Sequence, residues 1–301
     1  MSSPEPVRPH EGEGGFFRLR IDLGYDGAPF SGWATQPGRQ TVQGSLEAAL
    51  ELVFRRPLRV VVAGRTDAGV HARWQVIHLD LTAEEWHGLA RHQADSAHAA
   101  LLRRLRGALA RVLGPAAGAI VVHRAEPAPV GFDARFSALW RRYSYQIADD
   151  PARWDPVYRN SIWWYRHPLD AGRLNRAAAR LLGLQDFLAF CKPREGATTV
   201  RELQRFEFAR DSGLLVATVQ ADAFCHNMVR ALIGAAVQVG SGEQSESWLE
   251  ERLEARLRDA RSVLAPPHPL VLEEVGYPDP ESLGARAEQT RARRETGTDP
   301  S

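Results

Sequence analysis

Asp67 is the side chain in this sequence whose setting most favours chemistry. It lies in Val61 to Arg73, Val-Val-Ala-Gly-Arg-Thr-Asp-Ala-Gly-Val-His-Ala-Arg. An apolar strand there enters a turn at Gly64, presents Arg65, Thr66 and Asp67 at its tip, and leaves through Gly69 into a second strand, Trp74 to Leu81. A carboxylate on a tight loop between two strands has a fixed direction, which a catalytic group needs, and the glycines let a substrate approach the backbone. The same Asp-Ala-Gly is also ordinary turn chemistry, with the Asp side chain capping nearby amides. A metal-dependent hydrolase built on Asp67, His71 and His78 is a rival, but the two histidines are seven residues apart. An odd spacing sends them to opposite faces of a regular strand. Neither a Gly-rich dinucleotide fingerprint nor a phosphate-binding P-loop occurs.

The elements that must carry this loop follow from periodicity. Phe17, Leu19, Ile21 and Leu23 alternate with polar residues as a half-buried strand that ends in Tyr25-Asp26-Gly27. Thr41 opens a helix with Val42, Leu46, Ala49, Leu50 and Val53 on one face. Thr82 to Leu113 reads as two helical pieces, the second with an arginine-bearing face that reads as solvated. Ile120 to His123 is a short strand, a Pro-rich connection through Pro127 and Pro129 follows, and Arg141 to Ile147 is an alternating strand with Tyr143, Tyr145 and Ile147 on one side. Further on, Asp170 caps a helix through Leu181, a turn falls at Asp186-Phe187, and Lys192 to Thr199 is a polar loop. Val200 to Ala209 and Leu214 to Ala223 form a hairpin about Asp211-Ser212-Gly213. Helices over Asn227 to Val239 and Trp248 to Leu257 and a closing strand, Leu270 to Val275, complete the order.

This pattern is α+β: two related halves with mainly antiparallel sheets flanked by helices, with no sequence repeat to prove the relation. The expected division is a disordered tail over 1–15, a half over 16–140 carrying the Asp67 loop, a second half over 141–278, and a disordered tail over 279–301, because both ends are charged and poor in apolar residues.

With 301 residues and 44% hydrophobic content the chain can bury real cores, and the expectation is a soluble globular protein. Cys191 and Cys225 show no patterned spacing, so neither a disulfide framework nor a cysteine-rich metal site is expected, in keeping with a reducing cytoplasm. No apolar run approaches the ~20 residues that span a bilayer, and Met1 to Gly15 lacks the apolar centre of a signal peptide, so neither export nor membrane insertion is expected. The net charge of +1 does not decide for or against nucleic acid. Lys192 is the single lysine, so nearly every cation is an arginine, suited to phosphate contacts and base stacking, though a general arginine- and alanine-rich bias yields the same composition.

Four ordered motifs narrow the reading. Ala63-Gly64-Arg65-Thr66-Asp67-Ala68-Gly69-Val70-His71 resembles the signature of the tRNA pseudouridine synthases of the TruA type. Tyr25-Asp26-Gly27, Phe30, Gly32-Trp33, Gln36-Pro37 and Thr41-Val42-Gln43-Gly44 resemble the N-terminal motif of that family. Ala134-Arg135-Phe136-Ser137-Ala138 with Arg142-Tyr143-Ser144-Tyr145 resembles its central motif, and Ala223-Phe224 with His226-Asn227-Met228-Val229-Arg230 its late one. The matches run from about Phe17 to Tyr277, with departures at Ala34, Arg106 and Pro269 and extra length around Thr82 to His98, none of them at Asp67, Tyr143 or Arg230.

The resemblance implies a cofactor-free, metal-free isomerisation of uridine to pseudouridine at positions 38, 39 and 40 of the tRNA anticodon stem-loop, by a cytoplasmic homodimer with its catalytic cleft between the halves and Asp67 at the floor. Asp67 would be the catalytic carboxylate, attacking the sugar, attacking C6 of the ring or assisting an elimination. Arg230 would pair with Asp67 and favour its ionised form; a surface arginine on a helix is the other reading. Tyr143 would stack on the extracted uracil and handle the proton at C5, where a core tyrosine is the other reading and Tyr145 the core member of the pair. Arg65 would hold a phosphate or brace the flipped nucleotide, and Asp26 and Arg135 would support loops or contact RNA, which is read mainly through shape and phosphates. An RNA-binding factor on the same fold that has lost catalysis is the alternative, and the joint presence of Asp67, Tyr143 and Arg230 speaks against it.

Overall fold

A computed structural model describes residues 15–90, 96–192, 198–257 and 263–295, with the side chains of 293–295 left aside. The expected N-terminal tail, apart from Gly15, lies outside the described residues, as does most of the polar loop after Lys192. In chain order the elements are β1 (Phe16–Tyr25), α1 (Val42–Phe54), β2 (Val61–Val62), β3 (His71–Thr82), α2 (Ala83–Gly88), α3 (Ala97–Leu113), β4 (Ile120–Pro127) and β5 (Trp140–Ala148). They continue with β6 (Trp163–Trp164), α4 (Ala171–Ala179), β7 (Gly183–Asp186), β8 (Val200–Asp211), β9 (Leu214–Ala221), α5 (Met228–Gly240), α6 (Trp248–Ala255), β10 (Leu270–Gly276) and α7 (Leu283–Glu295). The expected α+β class with mainly antiparallel sheet is what forms. No helix among the described residues is long and apolar enough to cross a membrane.

The chain groups into two compact units. The first comprises Met1–Thr66, Ala72–Ala138 and Tyr277–Arg291; the second comprises Asp67–His71, Leu139–Gly276 and Ala292–Ser301. In the first, β1 pairs antiparallel with both β3 and β4, and β2 pairs antiparallel with β3. The alternation read in β1 buries Leu19, Ile21 and Leu23 almost completely. Thr41 caps α1 through its Oγ1, which accepts the Gly44 N–H, and turns Val42, Leu46, Ala49 and Leu50 inward. Strand β4 runs on to Pro127, past the expected end at His123. Among the described residues it bonds one neighbouring strand, and Pro, which donates no hydrogen bond, is tolerated on such an edge.

The segment after Asp279 departs from expectation. Residues 279–301 read as a disordered tail, yet α7 forms there and buries Leu283 and Ala287. Its backbone comes close enough to Gly131 that a Cβ on that glycine would stand 2.7 Å from the Gly284 Cα. The Leu283 carbonyl accepts the Ser137 hydroxyl at 3.0 Å, and the Arg291 guanidinium donates to Asp133 at 2.9 Å. Two buried apolar positions a turn apart on a helix otherwise rich in Arg and Glu are too narrow a stripe to register as periodicity.

In the second unit the strand order is β10-β5-β9-β8-β7, antiparallel throughout, with β6 added parallel to β5. The β8–β9 hairpin turns at Ser212 (φ 50°) and Gly213 (φ 82°), both left-handed as a tight two-residue turn requires. Helix α4, capped by Asp170 on the Arg173 N–H, buries Leu174, Ala177 and Ala178. Helix α5 is apolar on nearly every face and is buried from Met228 to Gly240 with few exceptions. It packs so closely on the 263–265 segment that a Cβ on Gly234 would lie 1.9 Å from the Val263 carbonyl oxygen. Such contact admits only a hydrogen at that position.

Candidate active site

The loop that presents Asp67 is built from both sides by hydrogen bonds that leave its tip free of regular structure. At its root, the Gln75 amide donates to the Gly64 carbonyl at 2.8 Å, the Ala63 N–H donates to Val76, and the Trp33 N–H donates to the Thr66 carbonyl at 3.0 Å. The Thr66 hydroxyl shares a hydrogen with the buried Tyr25 hydroxyl at 2.8 Å. Burial pushes the Tyr25 phenol up to about 12, so it stays protonated as a structural group. Beyond Thr66 the chain turns, the Val70 N–H bonding back to the Asp67 carbonyl, and Gly69 adopts φ 76°. Turn chemistry and presentation of a carboxylate therefore coexist, since the turn uses the Asp67 backbone and leaves its side chain one-third exposed.

Within the second unit the tip Asp67–His71 meets two segments, 222–230 and 263–268. His226 Nε2 lies 3.4 Å from Asp67 Oδ1. His71 Nε2 lies 2.8 Å from the His268 carbonyl and 3.1 Å from that of Asn160, and because carbonyls only accept, Nε2 carries the proton. The Cβ position of Gly69 faces the Pro267 ring at 3.4 Å. His78, in the first unit, is buried and accepts the Ala134 N–H through Nδ1. The two histidines of the hydrolase reading thus serve as separate structural ties, and among the described residues no three His, Cys, Asp or Glu side chains gather as a metal site.

The 222–230 segment is itself firmly held. Arg141 donates to the Asp222 carbonyl at 2.7 Å, and Asp222 Oδ1 accepts the N–H groups of Glu202 and Ala223. The Lys192 N–H donates to the His226 carbonyl at 2.9 Å. Asn227 takes a left-handed conformation (φ 68°) as α5 begins, and Cys225 is joined to Cys191 in a disulfide with Cα atoms 5.6 Å apart. Their spacing along the chain offered no such pairing; the turn after β7 and the loop before α5 bring the two together.

Two tyrosines from one face of β5 take different places. Tyr143 is 7% exposed and meets Phe224 of the same loop edge-on, with ring centroids 5.3 Å apart. Tyr145 is fully buried, donates to the Pro266 carbonyl at 3.0 Å, and is pushed by burial well above the ordinary phenol range, with the Arg230 charge opposing. Tyr145 is therefore the core member of the pair, as expected.

Arg230, in the first turn of α5, is not ion-paired with Asp67. Its Nε donates to the Ala265 carbonyl at 2.8 Å and its terminal nitrogen reaches Asn227 Oδ1 at 3.5 Å, while the Ala265 N–H donates back to the Arg230 carbonyl. The tight packing at Gly234 is what delivers Ala265 to it. His226 takes the place beside Asp67 that was expected for the guanidinium. In the sequence, the signal for His226 is its place in the late motif, four residues before Arg230.

The remaining candidates belong to the first unit. Arg65 is exposed beside the loop root, Asp26 caps the Ala28 N–H from an exposed turn, and Arg135 lies over the Phe136 ring at 5.3 Å. Arg291 covers that same ring at 5.0 Å, a cation–π contact made by a residue of helix α7.

Comparison with known proteins bears on the family. A family described as tRNA pseudouridine synthase matches residues 177–278. A protein of Streptomyces griseus named tRNA pseudouridine synthase A is 51% identical over 285 residues, covering 93% of this chain and 95% of its own. Its namesake in Leifsonia xyli is 50% identical, covering 92% and 97%, and the one in Bifidobacterium longum 42% identical, covering 91% and 98%. An aminoacylhistidine dipeptidase structure from Vibrio alginolyticus reaches a TM-score of 0.23 at 14% identity, over 83% of this chain and 40% of its own, too low to bear on the fold. Identity at half of all positions, sustained over nine-tenths of both chains, makes this protein a member of the tRNA pseudouridine synthase family.

Proposed function

We propose that this protein isomerises uridine to pseudouridine in tRNA, at positions 38, 39 and 40 of the anticodon stem-loop, with the Asp67 carboxylate and no cofactor. The observation that carries the reading is the seat of Asp67. A part-exposed carboxylate on a glycine-flanked loop stands beside His226, and the His226 loop also carries Phe224, which packs on Tyr143, and runs into the helix of Arg230. In the reaction the N1–C1′ bond breaks, the uracil turns, and a C5–C1′ bond forms; the proton lost from C5 is matched by one gained at N1, so nothing is consumed. Asp67 acts at the sugar, at C6 or in an elimination, and each route uses the ionised form. Tyr143, with its ring edge against Phe224, is suited to stack on the uracil and to handle the C5 proton. Arg230 contributes positive charge from the start of α5.

The glycosidic bond is inaccessible in a stacked stem, so the nucleotide must be turned out. Arg65, Asp26 and Arg135 serve the RNA in this reading, Arg65 on a phosphate or in the space the nucleotide leaves, the other two as loop supports or RNA contacts. A cytoplasmic homodimer, in which one subunit helps hold tRNA for the other's site, and two structurally related halves belong to the same proposal.

The test is pseudouridine formation in unmodified tRNA transcripts with uridine at 38, 39 or 40, comparing wild type with Asp67→Ala and including a chelator. Wild-type activity that survives the chelator and falls by ~10³-fold or more in Asp67→Ala is expected. Wild type that binds tRNA and leaves every uridine unchanged would sink the reading.

A further inference from the structure

The imidazole of His226 has no part in the reaction as set out above, yet its Nε2 lies 3.4 Å from Asp67 Oδ1. We infer that His226 is a positioning residue for Asp67, holding the carboxylate in its reactive direction in the tRNA-free enzyme. The inference rests on the pseudouridine-synthase reading of this same site.

Two features separate this from a structural role. The backbone of His226 is fixed without its ring: Lys192 bonds its carbonyl, the Met228 N–H donates to the Cys225 carbonyl at 3.1 Å, and Ala231 bonds the carbonyl of Asn227. The ring itself is half exposed, so it fills no core space, and its polar contact among the described residues is Asp67 Oδ1 at 3.4 Å. An exposed pair of this kind contributes little to folding in either charge state. Its consequence is directional. Nε2 stands on the Oδ1 side of the carboxylate, and a reacting oxygen displaced by about 1 Å loses on the order of 10²-fold in rate. Arg230 cannot do this while Ala265 and Asn227 occupy its guanidinium. The second candidate donor in the loop, the His71 Nε2 proton, is committed to two carbonyls.

The test uses the full chain as wild type, His226→Ala and His226→Gln, since the Gln amide can reach about as far as Nε2. Steady-state pseudouridine formation on an unmodified tRNA transcript is measured with the thermal midpoint of each variant. The expected result for His226→Ala is kcat reduced roughly 10- to 100-fold with KM for tRNA and the thermal midpoint unchanged, and for His226→Gln recovery of most of the rate. Undiminished kcat in His226→Ala overturns the inference alone. A raised KM at unchanged kcat overturns it in favour of an RNA contact, and a lowered midpoint with Gln no better than Ala in favour of a structural role. Wild type that forms no pseudouridine overturns the reaction assignment and the inference with it.

Discussion

In the first unit, the polar residues expected to meet RNA stand on exposed turns, where the Asp26 side chain accepts the Ala28 N–H and Arg135 lies over the Phe136 ring. In the second, Asp67, His226, Tyr143 and Arg230 are held by segments distant in sequence: His226 by Lys192, Arg230 by Ala265, and Tyr143 against Phe224. The contrast fits their tasks. A group that contacts a flexible phosphate gains from freedom to adjust, whereas one that acts on a single bond must be aimed before the substrate arrives.

The sharpest way to break this comparison is inside β5. Tyr143→Phe and Tyr145→Phe each remove one hydroxyl from the same strand face. Tyr143→Phe should lower the rate of pseudouridine formation by roughly 10²-fold with little change in the urea midpoint. Tyr145→Phe should leave the rate within about twofold and cost about 1 kcal/mol, because it loses only the bond to Pro266. Reversed outcomes would place the reacting hydroxyl at 145.

Gly234→Ala tests whether α5 and the 263–268 segment form one support for Arg230 and His71. The added methyl would meet a backbone oxygen that cannot swing aside, and urea unfolding should report a loss of about 3 kcal/mol. Arg230→Lys keeps the charge but loses the planar fork that reaches Ala265 and Asn227 at once.

In the first unit the largest effect is expected at a buried histidine outside the candidate site. Burial lowers His78 to about 4, with the Arg18 charge acting in the same direction and Asp133 and Asp80 opposing. Since the folded value lies below that of the unfolded chain, the unfolded state binds the proton more readily. The stabilisation is therefore fully present above about pH 6.5 and is lost as pH falls from there towards 4, by roughly 2–3 kcal/mol. Urea unfolding between about pH 7 and pH 4.5 should show that slope in wild type and a flatter one in His78→Gln. The smallest effects belong to the surface cations. Arg65→Ala and Arg135→Ala should leave stability within about 0.5 kcal/mol and raise KM for tRNA a few-fold, with a salt dependence reduced by about one phosphate contact each.

Much of the fold was legible because its signals are local. The alternation in β1, the Thr41 and Asp170 caps, the hairpin turn at Ser212-Gly213 and the apolar run of α5 each report the state of one element from residues within that element. The short strands were not. Strand β7 has four residues and β6 two, and both exist only because a longer partner offers its edge. Helix α7 failed to register for a related reason: Leu283 and Ala287 are its buried apolar contacts, and their value depends on the surface around Gly131 that receives them.

By itself, the sequence determined the α+β class, the loop on which Asp67 sits, and the family to which its motifs belong, since each is written in neighbouring residues. Tertiary structure alone decided that His226 rather than Arg230 stands beside Asp67, that Ala265 occupies the Arg230 guanidinium, and that Cys191 meets Cys225. The physical reason is the range of the information. Periodicity and capping constrain a backbone over one or two turns, whereas the partner of a charged side chain is set by where remote segments return, and here that is governed by a glycine in α5 and a carbonyl at Val263.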